Sequence, residues 1–257
     1  MISEAPSRQV KSVRTAFRLI TIMQDREGVT MSELAEELDL AKSTVHNYLR
    51  TLKSLGYVVD DEGTYRLGLR FLTHGMAARN SLTLREVVTP VLEEVAAELS
   101  QPTWWIVEEF GRGIFVNRRG LTANTREIYG RIGKRSFLHT HAPGKAILAQ
   151  LPASYVSDVL DYHGLPTHTE KTIIDAETLL SELETIRQQG YAVSDGEAAL
   201  GIQSVGVAFE GAAGHTHALG VFGYSHDFSE MRQQRDIQSV LQGAAGDIQR
   251  AAEGVSE

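Results

Sequence analysis

The chain has 257 residues, of which 42% are hydrophobic and 23% charged, and it carries a formal net charge of -8. This length fits two domains, and the composition is that of an ordinary soluble globular protein. The absence of cysteine excludes disulfides, thiolate metal sites and thiol catalysis. No apolar run reaches the ~18 residues of a membrane-spanning helix, and no signal-peptide apolar region opens the chain, so we expect a cytoplasmic protein with no membrane partner.

The charge is distributed unevenly along the chain. Residues 1–80 hold 11 Lys and Arg against 10 Asp and Glu, whereas residues 81–257 hold 14 against 23. The net charge therefore divides into +1 and -9. Of the two parts, only the N-terminal one can approach a polyanion such as DNA without strong repulsion.

Two short helices are predicted before residue 40. The first has an apolar stripe at helical spacing and ends at the polar run 25–28. This stripe consists of Val13, Phe17, Ile20 and Met23. In the second helix, Thr30 and Glu33 form a capping box, in which the hydroxyl and the carboxylate bond the amides that open the helix. A turn of about three or four residues then leads to a third helix, which is the spacing of a helix-turn-helix.

The third helix, within residues 40–56, has one apolar face and one polar face. Val45, Leu49 and Leu52 recur at i, i+4 and i+7 and are expected to face a core. The opposite face carries short or forked hydrogen-bonding groups, which suit base edges and phosphates. Two β-prone runs around a Gly-bearing turn follow at 57–60 and 65–67.

Helices, turn and hairpin together predict a winged helix-turn-helix DNA-binding domain over residues 9–68, with double-stranded operator DNA as partner. Arg50 is the best candidate for a bidentate contact to a base or a phosphate, and Ser43 and Thr44 are expected to anchor phosphate. The candidate DNA-binding residues are Lys42, Ser43, Thr44, His46, Asn47, Arg50 and Arg66. The alternatives are a purely structural module and a winged helix used for protein contacts.

A short helical pattern after the hairpin predicts a linker helix within residues 69–82. Its apolar residues, Leu69 to Met76, are our candidate for a dimer seam, because specific operators usually consist of two half-sites held by a dimer. A second capping box at Thr83 and Glu86 predicts the start of a longer helix. Pro90 is expected to kink that helix or to mark a restart.

Residues 83–257 show the pattern of an α+β layer with one sheet. Residues 103–110 are strand-like, and because Trp104 and Trp105 are adjacent on that strand, only one of them can line a cavity on a given side. A later strand runs into Leu138, and a helix begins at Ala142 or Pro143 with N-terminal amides that are predicted to be free for an anion. Further predicted elements are a helix from Asp175 to Gly190, a strand at 191–193, a loop at 194–201, strands at 202–209 and 217–222, and a last helix from Ser229.

The alternative function is a metal-dependent enzyme that uses the paired histidines of the C-terminal domain. His139 and His141, like His215 and His217, are two residues apart, and on a strand both rings of a pair would point to one side, close enough to share a metal. No helical His-Glu pair, Gly-x-Ser-x-Gly elbow or phosphate loop accompanies them. We therefore predict no catalytic residue and no bound metal.

Four stretches resemble the IclR family of transcriptional regulators: Leu34-Ala-Glu-Glu-Leu-Asp-Leu-Ala-Lys-Ser-Thr-Val-His46, Tyr65-Arg-Leu-Gly-Leu69, Leu138-His-Thr-His-Ala-Pro-Gly-Lys-Ala146, and Gly190-Tyr-Ala-Val193 with the acids that follow it. The resemblance covers essentially the whole chain. It implies a GAF-like effector domain at 83–257 with one mainly antiparallel sheet and flanking helices, homodimers that pair into tetramers, and control of genes for catabolism of small organic compounds.

The chain departs from the family pattern where an effector pocket is implied. Gly201-Ile-Gln-Ser204 stands where the family often has Gly-Val-Arg-Cys, and Gly220-Val-Phe-Gly223 where it often has Ser-Val-Ser-Gly. One side of the pocket has therefore lost hydroxyls and gained the ring of Phe222. His141 stands where a smaller residue is usual.

We predict a small-molecule effector, such as a carboxylate, and no cofactor. The amides that open the Ala142 helix would take an electron-rich oxygen, and Phe222 would stack on a flat or apolar part of the ligand. Single residues of this site also have a structural alternative. His139 could be a structural histidine whose hydrogen bonds are all made within the protein, and Asp195 could cap a turn. The candidate effector-binding residues are Trp104, His139, His141, Ala142, Pro143, Ser194, Asp195, Ser204, Gly220 and Phe222.

Overall fold

The structure is a computed structural model that describes residues 9–120, 130–211, 215–226, 228 and 236–254. The chain divides into two compact units, one ending at Ser81 and the other beginning at Leu82. None of the helices in these ranges combines the length and apolar character needed to cross a bilayer.

The N-terminal unit contains the predicted helices and hairpin. Its elements are α1 (Lys11–Gln24), β1 (Val29–Thr30), α2 (Met31–Leu38), α3 (Lys42–Ser54), β2 (Val58–Asp61), β3 (Thr64–Leu67) and α4 (Arg70–Asn80). β1 pairs with β3, so the hairpin belongs to a three-stranded antiparallel sheet of order β1-β3-β2, whose third strand the sequence pattern missed. The predicted winged helix-turn-helix architecture is confirmed.

The capping box at the start of α2 forms as predicted. The Glu33 amide donates to Thr30 Oγ1 at 3.3 Å, and the Thr30 amide donates to Glu33 Oε2 at 2.7 Å. α2 ends at Leu38, and its C-cap residue Asp39 has a left-handed φ of 53° and turns the chain toward α3. The geometry of the helix-turn-helix thus follows from local hydrogen bonds.

The apolar stripe predicted for α1 is wrong in its N-terminal half. Val13 and Phe17 are 54% and 61% exposed, whereas Leu19 and Met23 are buried against α2, α3 and the sheet. The helix carries two apolar stripes on different faces, and the spacing alone did not show which one packs. Leu19 and Met23 lie in the core and Ile20 packs against it, so the C-terminal half of the predicted stripe meets the core.

The C-terminal unit has one six-stranded antiparallel sheet between two helical layers. Its elements are α5 (Arg85–Leu99), β4 (Thr103–Glu109), β5 (Arg112–Arg119), β6 (Arg135–Phe137), α6 (Ala142–Gln150), α7 (Ala153–His163), α8 (Ala176–Gln189), β7 (Ala192–Asp195), β8 (Ile202–Glu210), β9 (Thr216–Tyr224) and α9 (Ile237–Gly254). The strand order is β6-β5-β4-β9-β8-β7. This confirms the predicted α+β class with one sheet.

Two hydrophobic clusters lie on opposite faces of this sheet. Trp105 packs in a cluster with α5 and α9, and Trp104 packs in the other with α6, α7 and α8. The two tryptophans therefore point to opposite faces, as the alternation of side chains along a strand requires.

Four local predictions for this unit need correction or fall outside the described residues. The box at Thr83 and Glu86 does not form, because Leu84 occupies the N-cap position without a side-chain cap and α5 begins at Arg85. α5 continues through Pro90 as one helix instead of restarting there. Residues 194 and 195 belong to strand β7 and not to a loop, while the predicted helix start at Ser229 lies outside the described residues.

Candidate DNA-binding and effector-binding sites

The polar face of α3 is exposed. Val45, Leu49 and Leu52 are buried, which fixes the orientation of the helix. Among the residues that the structure describes, no side-chain hydrogen bond or ion pair involves the candidate DNA-binding residues of this helix. These are Lys42, Ser43, Thr44, His46, Asn47 and Arg50, of which all but the half-buried Thr44 are exposed. Their donors and acceptors remain available to an external partner.

The N-terminus of α3 has no side-chain cap. Its N-cap residue is Ala41, whose side chain has no group that can accept a hydrogen bond. The Thr44 and Val45 amides bond to the Ala41 carbonyl at 2.9 and 3.2 Å. The first two amides, of Lys42 and Ser43, point out of the helix end. An uncapped helix N-terminus beside Lys42 attracts phosphate through its amides and its dipole.

The wing holds one of its acidic groups, Asp60, in internal contacts and leaves Arg66 exposed. Asp60 pairs with Lys53 at 2.8 Å and accepts from the Gly63 amide at 3.0 Å. Lys53 therefore fastens the end of α3 to the hairpin, and both contacts hold the pKa of Asp60 below its ordinary value. Arg66 lies on β3 with its side chain exposed.

Tyr57 joins the hairpin to α4, a role that the sequence pattern did not single out. Its hydroxyl lies 2.6 Å from His74 Nε2, and its ring lies 4.9 Å from that of Phe71. The Arg70 guanidinium lies over the same ring at 5.0 Å and bonds the Leu55 carbonyl. These contacts pack α4 onto the N-terminal unit.

The amides that open α6 are not free, which corrects the predicted anion site. The Ala142 amide donates to Ser204 Oγ at 3.1 Å, and the Gly144 amide donates to His141 Nδ1 at 3.0 Å. The Lys145 amide bonds the His141 carbonyl, and Pro143 has no N–H. Serine and histidine side chains thus take the place that we assigned to a ligand oxygen.

Two glycines of the sheet allow α6 to approach so closely. A Cβ on Gly220 would lie 2.1 Å from Pro143 Cγ, and a Cβ on Gly206 would lie 2.4 Å from the Pro143 nitrogen. Only glycine leaves room for the first turn of α6 on strands β8 and β9. Gly220 therefore acts as a packing surface for the helix.

His141 is a buried, neutral, fully bonded side chain. Its Nδ1 accepts from the Gly144 amide, so the proton is on Nε2, which donates to Ser136 Oγ at 2.7 Å. Ser136 in turn donates to the Gly113 carbonyl at 3.1 Å. Burial, followed by the charge of Lys134, lowers the pKa of His141 well below its ordinary value.

The predicted histidine pair at 139 and 141 is not arranged to share a metal. His139 lies in a 3₁₀ turn (Leu138–Thr140) instead of on a strand, and its Nε2 donates to the Pro166 carbonyl at 3.2 Å. Each ring is thus held by a different neighbour. Across the described ranges, no group of three or more His, Cys, Asp or Glu side chains could hold a metal ion.

An aromatic cluster forms where we predicted the pocket floor. The rings of Phe115, His141 and Phe222 lie 5.6 to 5.9 Å apart by their centroids, and Trp104 meets Phe115 edge-on at 5.1 Å. All four side chains are buried. The structure thus brings three predicted residues together around Phe115, which the sequence analysis did not select.

The predicted polar wall is split between two places. Ser194 is buried on β7 directly opposite Ser204 on β8. Asp195 is exposed and is engaged by Lys171 at 3.0 Å and by Gln203 at 3.1 Å, and the contact with Lys171 lowers its pKa. Asp195 therefore fastens a loop and does not join the rings.

Lys145 is a buried ion that the sequence analysis did not assign. Its ammonium pairs with Glu182 on α8 at 2.6 Å and with Glu197 at 2.7 Å. Burial raises the pKa of Glu197 even though Lys145 opposes that shift. The ion cluster ties α6, α8 and the turn after β7 together.

Comparison with known proteins agrees with this two-part architecture. The model of the bacterial transcriptional regulator IclR C-terminal domain matches residues 76–250, and that of the IclR helix-turn-helix domain matches residues 12–62. The probable HTH-type transcriptional regulator ArcR of Halobacterium salinarum is 34% identical over 207 residues, covering 79% of this chain and 79% of ArcR.

Two solved structures share the fold. A putative transcriptional regulator from Rhodococcus sp. RHA1 is 25% identical and superposes with a TM-score of 0.79. The superposition covers 96% of this chain and 100% of that one. An IclR homologue from Microbacterium hydrocarbonoxydans, whose structure is a complex with 4-hydroxybenzoate, is 22% identical and superposes with a TM-score of 0.76. The superposition covers 94% of this chain and 99% of that one. The relatives are named as regulators and not as enzymes, which decides against the metal-dependent alternative. The chain therefore belongs to the IclR family, and it is a DNA-binding transcriptional regulator.

Proposed function

We propose that α3 reads the major groove of an operator, with Arg66 of the wing on the flanking backbone. The observation that carries this is the polar face of α3, whose side chains are exposed beside an uncapped helix N-terminus. Lys42, Ser43 and Thr44 would hold phosphate, whereas His46, Asn47 and Arg50 would reach base edges. In this assignment the protein acts in the cytoplasm. Residues 9–68 form the DNA-binding domain, residues 69–82 form a linker helix, and residues 83–257 form the domain that binds the effector.

The test is a gel-shift titration of the full chain against its own upstream intergenic DNA at physiological salt. We expect Arg50→Ala to cost about 1–3 kcal/mol of discrimination between operator and unrelated DNA, since a bidentate base contact is worth that much. Arg26→Ala is the matched control, because Glu37 already pairs with this cation of the same unit. Unchanged operator binding by the Asn47→Ala, Arg50→Ala double variant would exclude α3 as the reader.

The working form in this proposal is a homodimer that can pair into a tetramer. α4 has no buried residue, and two apolar side chains of this segment are strongly exposed: Leu69, just before the helix, at 82%, and Leu72 at 62%. A second copy covering this stripe would hold two recognition helices at a fixed half-site spacing. Sedimentation of a monomer at micromolar concentration would contradict this arrangement.

The effector in this proposal is a small carboxylate from a catabolic substrate. The rings around Phe115 offer an apolar contact surface, and a related structure holds 4-hydroxybenzoate. Because the amides of α6 are already bonded, the carboxylate must be recognised by side chains. A thermal-shift screen of carboxylates on the full chain, followed by operator release or recruitment in the gel shift, tests this assignment.

A further inference from the structure

The end of α3 is closed by backbone hydrogen bonds that also fix the residue after it. The Tyr57 amide donates to the Leu52 carbonyl at 2.9 Å. The Gly56 amide donates to the Lys53 carbonyl at 2.9 Å, and Gly56 has a left-handed φ of 77°. This is the Schellman arrangement, in which a glycine just after a helix lets the chain fold back on the last turn. The backbone of Tyr57 is therefore held on α3 itself.

The side chain of Tyr57 meets the first turns of α4. Its hydroxyl lies 2.6 Å from His74 Nε2, and its ring centre lies 4.9 Å from that of Phe71. The His74 ring stacks on it with centroids 5.6 Å apart, and the Arg70 guanidinium lies 5.0 Å from its centre. Arg70 and His74 are one helical turn apart and lie on the same face of α4. A single side chain thus contacts this face over its first turn.

A second contact joins α4 directly to the last turn of α3. The Arg70 guanidinium donates to the carbonyl of Leu55, which is the C-cap residue of α3. The last carbonyls of a helix have no partner within the helix. Arg70 therefore satisfies one of them, and two side chains connect the end of α3 with the start of α4.

The backbone between the hairpin and α4 is also closely packed. Gly68 follows β3, is buried, and donates its amide to the Tyr57 carbonyl at 2.8 Å. A Cβ on Gly68 would lie 2.5 Å from the Gly56 carbonyl oxygen. The start of α4 is therefore packed against the same two residues that close α3.

The direction of α4 depends on surface contacts of this kind. The helix has no buried residue, and within the described part of the N-terminal unit none of its side chains belongs to the hydrophobic core. Its 11 residues span about 16 Å. A tilt of about 20° at the start would therefore move its far end by about 6 Å.

We propose that Tyr57 is a positioning residue that sets the direction of α4 relative to α3, and thereby the half-site spacing that the dimer accepts on DNA. The inference rests on the proposed function, in which α3 reads a half-site and a second copy covers α4. One base pair moves a half-site by about 3.4 Å along the DNA and turns it by about 35°. A small change in the direction of α4 therefore favours a different spacing. In this role Tyr57 acts through α4 and contacts no base.

Distances within one chain test the positioning directly. The chain has no cysteine, so Thr51→Cys on α3 and Ala77→Cys on α4, both exposed, provide two unique sites for spin labels. Double electron–electron resonance is measured on labelled protein mixed with a large excess of unlabelled protein, so that the distances come from single chains. We expect one narrow distance with Tyr57 present and a broad or shifted distribution in Tyr57→Ala. An unchanged distribution in Tyr57→Ala overturns the proposal.

Three further variants separate positioning from general loosening. Tyr57→Phe keeps the ring and should retain the narrow distance. His74→Ala removes a contact of the same ring at an exposed position, so it should broaden the distance while the protein stays folded. Tyr65→Ala is the matched control, because Tyr65 is half-buried against the same core and, among the described residues, makes no ring contact with α4. It should lower the unfolding temperature and leave the distance narrow. Equal broadening in Tyr65→Ala and Tyr57→Ala refutes a specific role of Tyr57.

A gel shift on DNA of altered spacing tests the consequence for recognition. A footprint of the full chain on its own upstream intergenic DNA locates the half-sites, and one or two base pairs are then added or removed between them. We expect the native protein to prefer its own spacing about tenfold over a change of one base pair, and Tyr57→Ala to prefer it less than about threefold. Tyr65→Ala should weaken binding to all spacings alike. The same preference in the native and Tyr57→Ala proteins overturns the proposal, as does a native protein that accepts every spacing equally.

Failure of this inference is distinguishable from failure of the proposed function. Unchanged operator binding by the Asn47→Ala, Arg50→Ala double variant refutes α3 as the reader, and a monomer in sedimentation refutes the dimer and the spacing with it. The distances within one chain need neither DNA nor a dimer, so they still decide whether Tyr57 directs α4. Conversely, an unchanged distance in Tyr57→Ala refutes the positioning role and leaves α3 as the reader.

Discussion

The polar face of α3 and the first turn of α6 look alike in sequence and differ in structure. Both are helix starts with hydrogen-bonding residues, and both were predicted to meet an external ligand. α3 begins at an alanine N-cap with its side chains exposed, whereas the amides of α6 are taken up by His141 and Ser204. The difference is burial: a recognition surface that meets DNA can leave groups to water, but a buried helix end must satisfy them internally.

The largest effect that would test this contrast comes from Lys145. Replacing it with methionine leaves Glu182 and Glu197 facing each other without their cation, and we expect a loss of about 3–5 kcal/mol in the unfolding free energy of the C-terminal unit. Denaturant titration measures the loss. Adding Glu197→Gln to Lys145→Met should recover part of it. A loss below about 1 kcal/mol would show that the buried end of α6 does not depend on internal pairing.

The burial of His217 makes the stability of the folded protein depend on pH. Burial lowers the pKa of His217 to about 4, and its Nδ1 accepts from Trp105 Nε1 at 3.2 Å. Because the unfolded chain binds this proton at a higher pH than the folded chain, stability is complete above about pH 6.5 and is lost as the pH falls toward 4, by about 3 kcal/mol at most. His217→Gln, whose carbonyl oxygen can still accept from Trp105, should flatten the thermal stability profile in this window. Equal profiles for the native protein and His217→Gln would refute the assignment.

Glycine substitutions test the close approach of α6 to the sheet. Gly220→Ala would place a methyl group 2.1 Å from Pro143 Cγ, so we expect a loss of about 1–3 kcal/mol from overpacking. Gly243→Ala is the control, since nothing lies within 4 Å of its Cβ position in the middle of α9, and it should gain about 0.5–1 kcal/mol. Thermal unfolding compares the two. Equal effects would mean that the helix can shift without cost.

The sequence predicted elements whose signals are local and missed contacts that depend on distant neighbours. The capping box at Thr30 forms, yet the same pattern at Thr83 does not, because Leu84 is drawn into the core and α5 begins at Arg85. The prediction that Trp104 and Trp105 point to opposite faces of the sheet is confirmed, because side chains alternate in direction along any strand. Local periodicity cannot report which residue 60 positions away completes a hydrogen bond.

The same limit applies at the effector site. Ser204 was selected as a ligand group, and the sequence did not show that its Oγ also accepts from an amide 62 residues earlier in the chain. Phe115, Ser136 and Lys145 received no role, because an isolated ring, hydroxyl or lysine carries no pattern until the sheet brings it beside His141 or Glu197. By contrast, the exposed polar face of α3, which we propose to read DNA, can be predicted from helical spacing alone.

The smallest expected effect on stability converts the start of α3 into a start like that of α6. Ala41→Asp supplies a side-chain oxygen that can accept from the amides of Ser43 or Thr44, and we expect the N-terminal unit to gain about 0.5–1 kcal/mol. The same carboxylate would occupy the place of a DNA phosphate and repel it, so operator affinity should fall although the protein is more stable. Ala41→Gly is the control, because it adds neither cap nor charge. A gel shift measures the operator affinity of these variants, and a denaturant titration measures their stability. Unchanged or tighter operator binding by the stabilised Ala41→Asp protein would show that the uncapped end of α3 does not contact DNA.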